Sequence, residues 1–82
     1  MKVKLEVKYD SLRLLVSDEQ DKLVLRVGRN GTTVTATTDA LLRKAAAKFD
    51  QRVKTGKYGD IMHELEMLAK GSESLEQFVD KM

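Results

Sequence analysis

Lys22-Leu23-Val24-Leu25-Arg26-Val27-Gly28-Arg29-Asn30-Gly31-Thr32-Thr33-Val34-Thr35-Ala36-Thr37-Thr38 reads as two strands and the turn between them. Leu23, Leu25 and Val27 alternate with Lys22, Val24 and Arg26, the period of a strand with one buried face. Asn30-Gly31 is a strong hairpin signal, because both central positions of a type I′ turn need positive φ. Residues 32–37 are β-branched except at Ala36, with Val34 and Ala36 expected to point inward. After Thr38 the apolar period lengthens to three and four residues, so helix replaces strand.

The same two readings extend outward. Val3, Leu5, Val7 and Tyr9 alternate with Lys2, Lys4, Glu6 and Lys8, which sets Tyr9 among the inward residues. Leu12, Leu14 and Val16 alternate with Ser11, Arg13, Leu15 and Ser17. Asp10-Ser11 and the polar residues 17–21 are the expected turns. Downstream, Leu41, Leu42, Ala45, Ala46, Phe49 and Val53 cover an arc of about 140° on a helix that Thr38 or Asp39 caps and Gly56 ends. Ile61, Met62, Leu65, Leu68 and Ala69 form a second stripe, stopped by Gly71. Leu75, Phe78, Val79 and Met82 form a third, after Ser72 or Ser74 as cap.

The expected fold is α+β: a four-stranded antiparallel β-meander followed by one long and two short α-helices packed on one sheet face. Strands fall at about 2–9, 11–17, 22–28 and 32–37, and helices at about 39–55, 60–70 and 73–81, in one domain over 1–82. The long helix covers the apolar sheet face; the short ones complete the core or reach a second subunit.

Composition narrows the class. A chain of 82 residues buries only about 60–65% of its unfolded surface. Without cysteine it has neither disulfides nor thiolate metal sites, which suits a reducing cytoplasm. The N-terminal alternation contains no signal-peptide core, and no apolar run approaches membrane-spanning length, so no membrane association is expected. Residues 1–57 hold 13 Lys and Arg against 7 Asp and Glu, a net of +6; residues 58–82 hold 2 against 6, a net of −4. The two parts attract each other or offer surfaces of opposite sign.

The residues left outside the core define two candidate surfaces. Lys2, Lys4, Lys8, Arg13 and Arg26 lie on the outward sheet positions, with Arg29 in the hairpin. Lys44, Lys48 and Arg52 add a stripe at four-residue spacing on the first helix. A basic face of this kind suits nucleic acid or an acidic protein, although no aromatic platform for stacked bases falls among its strand positions. Gly28-Arg29-Asn30-Gly31 resembles the G-x-x-G loop of KH domains, which clamps a phosphodiester backbone. That loop joins two helices, whereas these four residues join two strand patterns. The order of four strands and then a helix is similar to that of the single-strand-binding transcriptional coactivators, in order alone and without a shared motif.

The acidic candidate surface comprises Asp60, Glu64, Glu66, Glu73, Glu76 and Asp80, with Met67 as an exposed apolar contact. Asp60, His63 and Glu64 do not make a zinc site: the H-E-x-x-H spacing is absent, and residues 63–67 read His-Glu-Leu-Glu-Met. No phosphate-binding loop, dinucleotide fingerprint or nucleophile–base grouping is present, so no catalytic residue, cofactor or metal is expected. The leading expectation is a non-enzymatic protein-binding module: an inhibitor, adaptor or regulator acting by occlusion. A phage or mobile-element protein that blocks a nucleic-acid-handling host protein would fit, its acidic surface standing in for phosphate. Nucleic-acid binding through the basic sheet face and hairpin tip is the alternative, and a homodimer is compatible with either.

Overall fold

The computed structural model describes every residue except Thr55. Strands β1 (Lys2–Lys8), β2 (Ser11–Ser17), β3 (Lys22–Gly28) and β4 (Gly31–Ala36) form one antiparallel sheet in the order β1-β2-β3-β4. Helices α1 (Asp39–Lys54), α2 (Tyr58–Lys70) and α3 (Leu75–Lys81) follow. The chain is therefore an α+β fold of the expected order.

Alternation sets the register. Three cross-strand rows share the helix side of the sheet: Val3–Val16–Leu23–Ala36, Leu5–Leu14–Leu25–Val34 and Val7–Leu12–Val27–Thr32. The third runs out into solvent at both edges, where Val7 is 74% exposed, correcting its inward placement, and Thr32 is exposed. A one-residue slip would send these apolar rows to solvent, which is why the pairing is unique. Leu14, Val16, Leu23 and Leu25 on the central strands are fully buried, while Val3, Leu5 and Val34 on the edge strands are half-buried.

The helices pack on one sheet face, as expected, but the long one does not cover that face alone: α1 and α2 share it. α1 lies against β3 and β4, and α2 against β1 and β2. The reason is width. A helix with side chains is about 10–12 Å across, and strands lie about 4.8 Å apart, so one helix covers two strands. α3 packs against both helices, and its Leu75, Phe78 and Val79 join Phe49, Met62 and Leu65 in one buried cluster. The apolar stripe of α3 thus completes the core of its own chain.

Several boundaries move for local reasons. Gly28 pairs with Gly31, so the hairpin loop is Arg29-Asn30 and not Asn30-Gly31. No described non-glycine residue has positive φ, whereas Gly31 has φ 119°. Glycine takes the one strained position, just after the turn, and a type I′ turn is not formed. Lys8 likewise pairs with Ser11, which makes Tyr9-Asp10 the first loop. Tyr9 therefore leaves the strand and stands fully in solvent (104% exposed), correcting its inward placement.

At the helix ends, Thr38 Oγ1 accepts from Leu41 N (3.3 Å) and Ser74 Oγ from Gln77 N (3.1 Å), two of the expected caps. α2 begins two residues early, after Lys57, without a side-chain cap. Thr55, the expected last residue of the first helix, lies outside the described residues. No helix among the described residues is long and apolar enough to cross a membrane.

Candidate functional site

The outward sheet face is built from the positions that alternation leaves over. Its rows are Lys2–Ser17–Lys22, Lys4–Leu15–Val24–Thr35 and Glu6–Arg13–Arg26–Thr33. Leu15 and Val24 stand directly opposite each other and are half-buried. They floor a shallow depression rimmed by Lys2, Lys4 and Lys22. Arg13 faces Arg26 across β2 and β3, a like-charge pair that costs stability unless a partner offsets it; Glu6 is the neighbour of Arg13 on its other side. The Arg26 guanidinium lies back over Gly28, where an added Cβ would come within 2.9 Å of it. Arg13 Nε is buried with no hydrogen-bond partner among the described residues. Among the described residues, none of Lys2, Lys4, Lys8, Arg13, Lys22, Arg26 and Arg29 is in an ion pair. Asp18 and Glu19 border this face at one end, where they share a recess with Lys2 and Lys22.

The helical basic stripe has a different fate. Lys44 Nζ pairs with Asp80 Oδ1, and Lys48 Nζ donates to the Asp80 carbonyl (2.9 Å). Arg52 Nε donates to the Met82 carbonyl (2.8 Å), and its guanidinium lies 3.5 Å from Glu64 Oε2. The last carbonyls of a helix lack intrahelical donors and carry the negative end of its dipole, so cations are favoured there. Lys44, Lys48 and Arg52 thus form a clasp on the end of α3. The Lys44 ammonium holds the Asp80 carboxyl below the usual carboxylate range, and Asp80 raises Lys44 in return.

The acidic surface is correspondingly depleted. Asp80 and Glu64 answer α1, while Glu66 sits 3.5 Å from Lys70 and 3.9 Å from His63. Exposed pairs of this kind add little stability, but they cancel charge locally. Asp60, Glu73 and Glu76 are in no ion pair among the described residues. Met67 is 67% exposed and shares a broad shallow recess on α2 with Asp60, His63 and Glu64. No group of three or more His, Asp or Glu among the described residues could hold a metal ion.

A third feature escapes the alternation reading. Arg29 N donates to the Asp10 carbonyl (3.2 Å), which ties the Tyr9-Asp10 and Arg29-Asn30 loops together at one end of the sheet. Tyr58, at the start of α2, reaches the same end. Lys8, Tyr9, Leu12, Val27, Arg29 and Tyr58 line one shallow recess there. Register arithmetic could have found Tyr9: pairing Leu14 with Leu5 and Leu12 with Val7 leaves only Tyr9 and Asp10 to turn the chain.

No protein-family model, curated protein or solved structure matches the chain.

Proposed function

We propose that the chain is a small non-enzymatic protein-binding module, an inhibitor, adaptor or regulator acting by occlusion, with the outward sheet face as its binding face. One observation carries this reading: Leu15 and Val24 form an apolar floor inside a ring of Lys2, Lys4 and Lys22. An acidic protein segment with an apolar side chain between carboxylates complements that arrangement in charge and in hydrophobicity. A phosphodiester backbone offers nothing to the floor. The phosphate-mimic version, in which the acidic surface docks on a nucleic-acid-handling protein, has less support, because Asp80, Glu64 and Glu66 are already paired within the chain.

The test is capture of partners from nuclease-treated lysate on the immobilised chain. Capture should persist after nuclease, vanish with Lys4→Glu/Lys22→Glu, and survive Glu73→Lys/Glu76→Lys. Loss on nuclease treatment, or the reverse pattern between the two variants, overturns the reading. A second reading, nucleic acid on the same face, draws on the unpaired cations from Lys2 to Arg26. It predicts binding that weakens steeply as salt rises.

A further inference from the structure

We propose that the two-loop end of the sheet is a separate contact site for single-stranded nucleic acid, with Tyr9 and Tyr58 as stacking surfaces and Lys8, Arg26 and Arg29 as phosphate contacts. This site lies beyond the lysine-rimmed depression and shares none of its residues, although Lys8 and Arg26 also stand on outward strand positions. Single-strand readers combine aromatic faces for bases with cations that follow the backbone. The outward face supplies the cations without the aromatics; the loop end supplies both.

Three observations converge. Tyr9 is fully exposed at the tip of a two-residue loop, and Tyr58 is 47% exposed on the neighbouring helix start, so each ring presents surface that the core does not use. Both residues line one recess with Lys8 and Arg29. Arg26 lies along the strand toward this end, a position open to its guanidinium because Gly28 has no Cβ. The backbone bond from Arg29 N to the Asp10 carbonyl holds the two loops in fixed relation. Asp10 is the one acid among the residues lining the recess, against Lys8 and Arg29.

The occupant is a single strand and not a duplex. A shallow recess with exposed rings offers π-faces, and in a duplex the faces of the bases are already stacked on each other. Stacking is tolerant of sequence, so discrimination among bases is expected to be weak.

The chain provides its own reporter. It has two tyrosines and no tryptophan, so its intrinsic emission arises wholly at the proposed site. Titration with an unlabelled oligo-dT strand at low salt should quench that emission, and a duplex of equal length should quench it far less. By anisotropy with the labelled strand, Tyr9→Ala should weaken binding roughly 5- to 150-fold, the span of base–aromatic stacking. Tyr9→Phe, which keeps the ring, should bind like the wild type, and Arg29→Ala should reduce the salt dependence. Lys4→Glu/Lys22→Glu should leave the quenching in place, which separates this site from the binding face above. Three results would each overturn the proposal: no binding at low salt, binding without quenching, or Tyr9→Ala binding as tightly as wild type.

Discussion

Leu14 and Leu15 are adjacent in sequence and point to opposite faces of β2, and replacing each by alanine measures how different those faces are. Leu14 is fully buried in the middle inward row, between Leu5 and Leu25. Leu14→Ala removes three carbon groups at about 0.8 kcal/mol each, or about 2.4 kcal/mol of transfer free energy. The cavity left beneath the helix layer brings the loss to about 3–4 kcal/mol. A chain of 82 residues has a total stability of roughly 4–12 kcal/mol, so this change alone removes at least about a quarter of it. Leu15 is half-buried beside Val24, with no helix above it. Solvent fills the space its side chain leaves, so no cavity term arises, and Leu15→Ala should cost about 1 kcal/mol or less. In urea unfolding with a slope of about 1.3 kcal/mol per M, the midpoint should fall by about 2–3 M for Leu14→Ala and by under about 1 M for Leu15→Ala. Equal shifts would refute the reasoning. They would mean that another layer covers the outward face in solution, and the lysine-rimmed depression would then be unavailable to a partner.

Two further outcomes test the loops. Gly31→Ala forces a side chain into φ 119° and should cost about 1–2 kcal/mol, a fall of about 4–8 °C in melting temperature for each kcal/mol, while Asn30→Ala, at negative φ, should cost far less; equal losses would mean that the turn centre is misplaced. Asp18 Oδ1 accepts from Asp21 N (2.8 Å) and Gln20 N (2.9 Å), and these bonds, Asp21 foremost, hold its carboxyl below the usual range. A depressed folded pKa gives stability that is present above the unfolded value and lost as pH falls through the folded one, so the gap between wild type and Asp18→Asn in urea midpoint should narrow below about pH 4. A gap that stays constant down to pH 2–3 would count against that linkage.

The sequence was informative where one physical rule acted alone. Strict alternation over Val3, Leu5, Leu12, Leu14, Leu23 and Leu25 had one satisfactory packing, and the register follows it. The change of period after Thr38 marked the helices for the same reason. Reading failed where two rules competed. At residues 28–31, Asn-Gly favours the centre of a type I′ turn, but pairing Leu25 with Val34 and Val27 with Thr32 leaves Arg29-Asn30 to turn, and Gly31 takes the positive φ outside the loop. Tyr9 continues the alternation in sequence but lies past the last paired residue, Lys8. The division of the sheet face between α1 and α2 is a matter of widths, which no single segment records. Of the candidate surfaces, the outward strand positions were legible from period alone. The α1 clasp was not, because it depends on where the end of α3 comes to lie.

That clasp changes what segmental charge means in this fold. A net of +6 before residue 58 and −4 after it suggests one basic and one acidic surface only if the two segments do not meet with their charged sides together. Here α1 belongs to the basic segment and α3 to the acidic one, and the core brings them into contact along the line of Lys44, Lys48 and Arg52. Asp80, and Glu64 on α2, are spent on α1, and Glu66 is taken up beside Lys70, leaving Asp60, Glu73 and Glu76 scattered. The sheet has no such partner, since its helices lie on the other face. Cations on outward strand positions therefore keep their field, and those at the two-loop end stand beside the only tyrosines. The two proposed sites accordingly draw on the cations of the sheet, one on the face away from the helices and one at the sheet end that the start of α2 also reaches, although the sequence balance alone pointed equally to both segments.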